Sequence, residues 1–297
     1  MAEEKVTTLS EAAALVEDGD CVAIQSMATI TAPMALVREL IRQKRTGLEV
    51  VCLVGGIPVD LLAAAGSMNR FTGAAVSMEQ FGLCQAYRRS VELGEITVQE
   101  LSETALCARL GAGTRNLPFL PTRGLIGTDL IDINDDLVMI EDPFGGPDVV
   151  ACRALVPDVA LVHCHRSDQY GNLQYEPTAL WPDIGIMPMA ARRIVATVEE
   201  IVDSEVLREN PDRTIIPGFM VNAVVEVPYG AHPTSFSPRY GYDTAAHLDW
   251  IAVARDPESS SEWMKTHVHE PVSHQEYLDL FGGKERMEQL ERWEITE

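Results

Sequence analysis

Two carboxylates in this 297-residue chain stand where an α/β protein could put them to work. Glu103 lies in "ELSETALCARLGAGTRNLPFLPTRGLIGTD", and Glu79 lies in "AVSMEQFG", just beyond an apolar run. Both fall at the ends of expected strands, the edge along which α/β sheets bind ligands. On spacing alone Glu79 is an exposed loop acid, and Glu103 is a first-turn acid favoured by the positive end of its helix. A carboxylate in that place facing a desolvated cleft would instead suit general-base or nucleophilic work.

The remaining chemical candidates are weaker. In "HCHRSD", His163 and His165 share one face of a strand and Asp168 sits in the loop beyond, but a third and fourth ligand at zinc spacing are missing. A partly buried histidine pair beside a ligand crevice is expected there, and no metal. "HVHEPVSH" reads as a solvated joint between helices. "LVGGIP" follows a strand but lacks both the G-x-G-x-x-G spacing and the P-loop lysine, so it reads as a tight turn. No G-x-S-x-G elbow occurs, and no cysteine stands beside a histidine base in an electropositive setting. The six cysteines form no C-x-x-C pair and read as small buried hydrophobes in a reducing compartment.

The elements that would position these residues alternate along the chain. "TTLSEAAALVEDGD" reads as a helix with Thr8 or Ser10 as its cap, Glu11 in its first turn and Gly19 at its end. "CVAIQSM" is a strand, and "TAPMALVRELIRQK" a helix with Pro33 near its first turn. "GLEVVCLVGG" is continuously apolar, the pattern of a strand covered on both faces of a parallel sheet. The alternation runs on through "RFTGAAVSM", "AYRRSVELG", "ITVQEL", the helix from Glu103, "DLVMIEDPF", "VALVHCHRSD" and "MVNAVVEVPYGAHP". The fold class is therefore α/β: an open, mostly parallel sheet with helices on both faces. Residues 240–297 read as a helical C-terminal extension of a single domain spanning 1–297, with Trp250, Trp263 and Trp293 as apolar anchors onto the sheet or onto a partner.

Composition limits the function. With 23 Lys and Arg against 45 Asp and Glu, the net charge is -22. Nucleic acid and anionic membranes are thereby disfavoured, because both are bound through cations. A phosphate-bearing substrate needs a local cluster of arginines, or basic residues supplied by another chain. No apolar run is long enough to cross a bilayer, and the acidic start is unlike a signal peptide, which points to the cytoplasm.

Several stretches carry a resemblance: "DGDCVAIQSMATITAPMALVREL", "NLPFLPTRGLIGTDL", "IEDPFGG", "VPDVALVHCHRSDQYGNLQ", "AARRIVATVEEIVDSE" and "IIPGFMVNAVVEVPYGAHPTSFSPRYGYD". Over nearly its whole length the chain resembles the alpha (A) subunit of family I coenzyme A transferases, in the glutaconate CoA-transferase branch. The resemblance implies an open α/β fold, a beta (B) subunit of similar fold in a heterodimer or doubled heterodimer, and an active site between the two. Coenzyme A enters as a substrate or product thioester and no cofactor is permanently bound. The glutamate that forms the acyl and CoA intermediates belongs to the beta subunit, in an E-x-G-like setting absent here, so this chain alone should be inactive. Met27, Ala28, Thr29 and Glu79 are implied as substrate-side cleft residues.

Two features depart from that pattern. The family's first strand runs into a Gly-Gly-Phe-type loop that brings backbone N–H groups to the thioester, whereas Gln25 and Ser26 stand here, so the contact is remade by side chains or lost. Glu103 occupies a place where such transferases have glutamine. A related group, hydrolases that open the last steroid rings as CoA thioesters, has a catalytic alpha-subunit glutamate. The hydrolase, with Glu103 as base, is the alternative activity, although the basic pair of that group's first loop is replaced by "MATITAP". A non-catalytic binding paralogue is a third reading.

Overall fold

The computed structural model describes residues 3–176 and 182–292. Its strands are β1 Cys21–Ile24, β2 Leu48–Gly55, β3 Met68–Val76, β4 Thr97–Glu100, β5 Phe119–Thr122, β6 Leu137–Ile140, β7 Val149–Arg153, β8 Val159–Ser167, β9 Leu173–Gln174, β10 Arg193–Ile201, β11 Thr214–Ile216 and β12 Ala223–Glu226. The main sheet runs β12-β10-β8-β1-β2-β3-β4, all parallel, with β9 and β11 added antiparallel beside the far half of β8. From β1 the chain builds outward to β4. It then returns to the other side of β1 and builds outward again through β8, β10 and β12. The order reverses between β1 and β8, which makes their carboxyl ends the switch point where open α/β sheets take ligands.

Both faces of the sheet are covered, which accounts for the apolar runs. Val50 and Cys52 of β2 face one core while Val51 and Leu53 face the other, and Val22 and Ala23 of β1 divide in the same way. Helices Leu9–Ala13, Met34–Arg42 and Ile57–Ala64 cover the first face; Glu103–Thr114 and Pro182–Ala190 cover the second. The first helix is capped by Thr8, with Glu11 completing a capping box. It ends well before Gly19, whose positive φ instead shapes the turn into β1.

The C-terminal helices Thr244–Ala254, Pro257–Met264, His274–Leu280 and Gly283–Glu291 fold back onto this framework. Trp250 is fully buried in the first core, its Nε1 donating to Asp60 at 2.8 Å, and Trp263 lies 4.9 Å from it ring to ring. Those two anchors serve this chain's own core; Trp293 lies outside the described residues. Burial pushes the Asp60 carboxyl up to about 6, against the hydrogen bonds from Tyr87 N–H and Trp250.

Two expectations change. "DLVMIEDPF" does not join the parallel sheet: β6 pairs antiparallel with β7, which pairs antiparallel with β5, in a separate three-stranded sheet. The connection from β6 to β7 is short, and a parallel crossover takes a dozen or more residues. "HVHEPVSH" is not uniformly solvated. It begins in a π-helical turn, Lys265–His269, in which His267 stacks on Trp263, and His274 reaches inward to Arg38 and the Pro228 carbonyl. Among the described residues, no helix is long and apolar enough to cross a membrane.

Candidate active site

The loop after β1 is the most constrained part of the carboxyl edge. Gln25 is fully buried, and its Oε1 accepts the His163 backbone N–H at 2.9 Å, which fixes the orientation of the amide. Its Nε2, like Ser26 Oγ, is buried without a protein partner. Beyond them Met27 N–H donates to Ile30 and Ala28 N–H to Val54, while Ala28 and Thr31 take left-handed backbone conformations with φ of 54° and 52°. Such values are costly for alanine and more so for β-branched threonine, so the surroundings must hold the loop in place.

Two neighbours do so. Gly56, directly after β2, leaves the space that the Ala28 carbonyl fills: a Cβ there would fall onto the Ala28 oxygen and 2.8 Å from its carbonyl carbon. The Gly-Gly turn thus admits a backbone rather than a phosphate. On the other side the segment after β12 straps the loop down. Ser235 N–H donates to Thr29, Thr31 N–H to Ser235, Ala32 N–H to Thr234 Oγ1, and Ala35 N–H to Gly230. Ala28 and Thr29 are consequently buried and Met27 is half-buried.

The strap is itself anchored in polar groups. Tyr229 N–H and Tyr240 O–H donate to Glu199, which also pairs with His163 Nε2 at 2.7 Å. Burial pushes the Glu199 carboxyl up, but these donors outweigh it and hold the group below its ordinary range. His232 bonds Tyr277 O–H through Nδ1 and Asp243 through Nε2, and Arg286 closes on Asp243 at 2.9 Å. Arg38 donates to the His232 carbonyl and lies 3.5 Å over the Tyr277 ring, joining the helix after the first loop to the C-terminal helices.

His163 and His165 do share a face, both against Phe236. Each ring is already bonded on both nitrogens: His163 to Thr197 and Glu199, His165 to Glu176 N–H and the Ser237 carbonyl. Asp168 accepts from Tyr170, Asn172 and Ser204 and staples its own turn. The pair is a structural support for the crevice.

The two candidate carboxylates are exposed, at the ends of the adjacent strands β3 and β4. Glu79, with φ of 50°, starts a 3₁₀ turn whose Phe81 stacks on His247. Glu103 opens the helix capped by Ser102, whose Oγ accepts Ala105 N–H. No hydrogen bond or ion pair joins Glu79 to Glu103 among the described residues. Near the start of the Glu103 helix the chain passes a residue that spacing did not single out. Gly124 packs against Thr104, which carries the exposed Arg123, without an acidic partner among the described residues, to the same edge. The only signal was "TRG" in an otherwise acidic chain.

The local arginine cluster required by the net charge also exists, at the ends of β8 and β10, but it is internally paired. Arg213, Glu176, Arg166, Glu200 and Arg239 form a ladder in which each carboxylate is shared between two guanidiniums. None of the six cysteines is in a disulfide, and burial pushes the Cys21 thiol up to about 12 and raises those of Cys84, Cys152 and Cys164.

Burial keeps several histidines neutral. It pushes His165 down to about 3 and His247 down to about 4, and lowers His232 and His274 as well. From about pH 6.5 downward the unfolded chain therefore takes up protons that the folded chain refuses. Asp60 acts in the opposite sense between about pH 6 and 4, but one group does not offset four. Thermal stability should fall steadily as pH drops from 6.5 to 4, which differential scanning calorimetry would follow; a flat or rising profile would contradict this account.

Residues 6–227 match the family model described as Coenzyme A transferase. An uncharacterized protein of Archaeoglobus fulgidus is 35% identical over 99% of this chain, which spans 66% of that protein's length. The cholesterol ring-cleaving hydrolase IpdA subunit of Rhodococcus jostii is 30% identical over 89% of this chain and 92% of its own length. Glutaconate coenzyme A-transferase from Acidaminococcus fermentans superposes with a TM-score of 0.91 at 29% identity, covering 96% of this chain and 95% of that one.

Proposed function

Because the chain belongs to the coenzyme A transferase family, we propose that it is the A-type subunit of a two-chain enzyme moving CoA between an acyl-CoA and a carboxylic acid. The observation that carries this reading is the backbone match to glutaconate coenzyme A-transferase along 96% of the chain. In such chemistry a carboxylate attacks the thioester carbonyl, an acyl anhydride forms as CoA thiolate leaves, and the thiolate then opens the anhydride at its other carbonyl. The partner supplies the attacking glutamate and the cations for the CoA phosphates, since this chain's own arginine ladder is taken up by Glu176 and Glu200.

This chain contributes the shape of the cleft. In this reading the unpartnered Gln25 Nε2 and Ser26 Oγ, at the start of the first loop, would take over the contact to the thioester oxygen that the family's glycines make through N–H groups. Arg123 pairs with the substrate carboxylate at the β3–β4 edge, and Glu103 orients the carbonyl beside it. Closure by the partner excludes water from the anhydride.

A second reading is favoured by one observation: Glu103 is exposed at a strand end, in the first turn of its helix, an arrangement open to a general base acting on water in a ring-cleaving hydrolase. Glu103→Gln in the assembled complex separates the two. A transferase should keep its rate within about tenfold, whereas loss of a general base costs about a thousandfold. Borohydride or hydroxylamine trapping with acyl-CoA, followed by mass mapping, should place the adduct on a glutamate of the partner. CoA-thioester turnover with no such adduct, abolished by Glu103→Gln, would establish the hydrolase. No CoA-dependent reaction with any partner would leave a binding paralogue.

A further inference from the structure

We propose that the outer face of the small antiparallel sheet is the surface on which the partner subunit docks, and that the partner meets it with an apolar centre and a basic rim. This rests on the two-chain reading above. The register of β5, β7 and β6 sets Pro121 and Val138 opposite Ala151, and Ile140 opposite Val149, with Phe119 opposite Arg153. Successive residues of a strand point to opposite faces, so these share one side. The other side, with Leu137, Val150 and Cys152, is buried in the second core.

An antiparallel sheet with one face on a core and the other in water alternates apolar with polar residues. On this one the outer face is apolar too, apart from Arg153 at its edge, which pairs with Asp136. Phe119 is 41% and Val138 54% exposed, and Phe144, in the β6–β7 connection, is 96% exposed. An apolar face of this kind is covered in the working assembly.

Charge identifies the occupant. In the connections flanking β6, Asp129, Asp132, Asp135, Glu141, Asp142 and Asp148 have no basic partner among the described residues. A second copy would bring the same acidic rim against this one in a chain of net charge -22, which is repulsive. A partner with lysines and arginines around an apolar centre is attracted. The face is also continuous with the carboxylate edge: β5 leads directly into Arg123 and Gly124, and Gly124 rests on the residue after Glu103. A subunit seated here therefore reaches Glu103.

The test uses the full chain co-expressed with the B-type subunit from the same source, with association measured by sedimentation velocity and activity by CoA transfer. Val138→Asp and Phe119→Asp alter exposed side chains, so circular dichroism and melting of the chain alone should be unchanged. Affinity for the partner should fall about a hundredfold, and transfer should fall with it, while Leu93→Asp, exposed elsewhere, changes neither. The double variant Asp132→Lys/Asp135→Lys should bind about tenfold more weakly and with less salt dependence. Unchanged assembly of the Val138 and Phe119 variants, with transfer intact, would overturn the docking face while leaving the proposed activity standing. Self-association of the chain alone, lost in Val138→Asp, would assign the face to a second copy and overturn the choice of occupant. CoA transfer by the chain without any partner would overturn the two-chain reading and the docking face with it.

Discussion

Gly56→Ala should all but abolish activity in the assembled enzyme, lowering kcat by roughly a hundredfold, and should destabilise the chain by roughly 3 kcal/mol. The cause is not backbone preference, since φ at Gly56 is -141°. It is the Ala28 carbonyl, which occupies the space a Cβ would need. That carbonyl belongs to backbone already held in a left-handed conformation and strapped from the other side by Ser235, so it has little room to retreat. The loop must therefore move as a unit, taking Gln25, Ser26 and Met27 with it. Gly111→Ala is the control: its Cβ would meet the ends of the Arg115 and Leu120 side chains, which can shift. A Gly56→Ala enzyme with wild-type kcat and melting temperature would remove the first loop from the catalytic account.

Asp243→Ala should be the most destabilising change outside the hydrophobic cores, costing about 3–5 kcal/mol, the range for removing one partner of a buried ion pair. Burial alone would raise this carboxyl, but hydrogen bonds from His232 and Arg286 reverse the effect and hold it below the ordinary range. A group so depressed contributes stability that is present at neutral pH and lost as pH falls through the acid range. Removing it leaves the His232 ring and Arg286 without their acid, and frees the N-terminus of helix Thr244–Ala254 that it caps. Chemical denaturation at pH 7 should show the full loss. At pH 3 the gap between variant and wild type should narrow, because the wild-type carboxylate is then partly protonated in the unfolded chain and returns less on folding. A constant gap across that range would mean that the ion pair contributes little. The strap from Tyr229 to Asp243 also holds the first loop, so weaker partner binding and reduced turnover should accompany the lost stability.

The acidic composition and the two-chain reading bear on each other. A chain with almost twice as many acids as bases is a poor host for a polyanionic substrate on its own. The arginines it does bring together are shared out between Glu176 and Glu200. Six acids without a basic partner among the described residues lie in the connections flanking β6, around an exposed apolar face. On the two-chain proposal, surplus negative charge would favour a basic partner, and that partner would deliver the cations that coenzyme A requires.

By itself the sequence determined the fold class and the identity of the main strands. A run such as "VVCLV" is apolar at every position only when both sheet faces are covered, and that information is local. The capped first helix, the helix opened by Glu103 and the strand-end placement of Glu79 and Glu103 were equally local, set by residues within one turn or one loop. What the tertiary structure decided involved partners far apart in the chain. Only folding brings Ala28 onto Gly56, Thr31 onto Ser235, His163 onto Glu199 and Trp250 onto Asp60. The histidine motifs looked like ligand sets because spacing records which side chains share a face, whereas partners such as Thr197, Glu199 and Arg38 come from other elements. The separate antiparallel sheet was hidden for the same reason. A strand's apolar pattern shows that it is buried, but its direction and neighbours depend on the length and path of the connections around it.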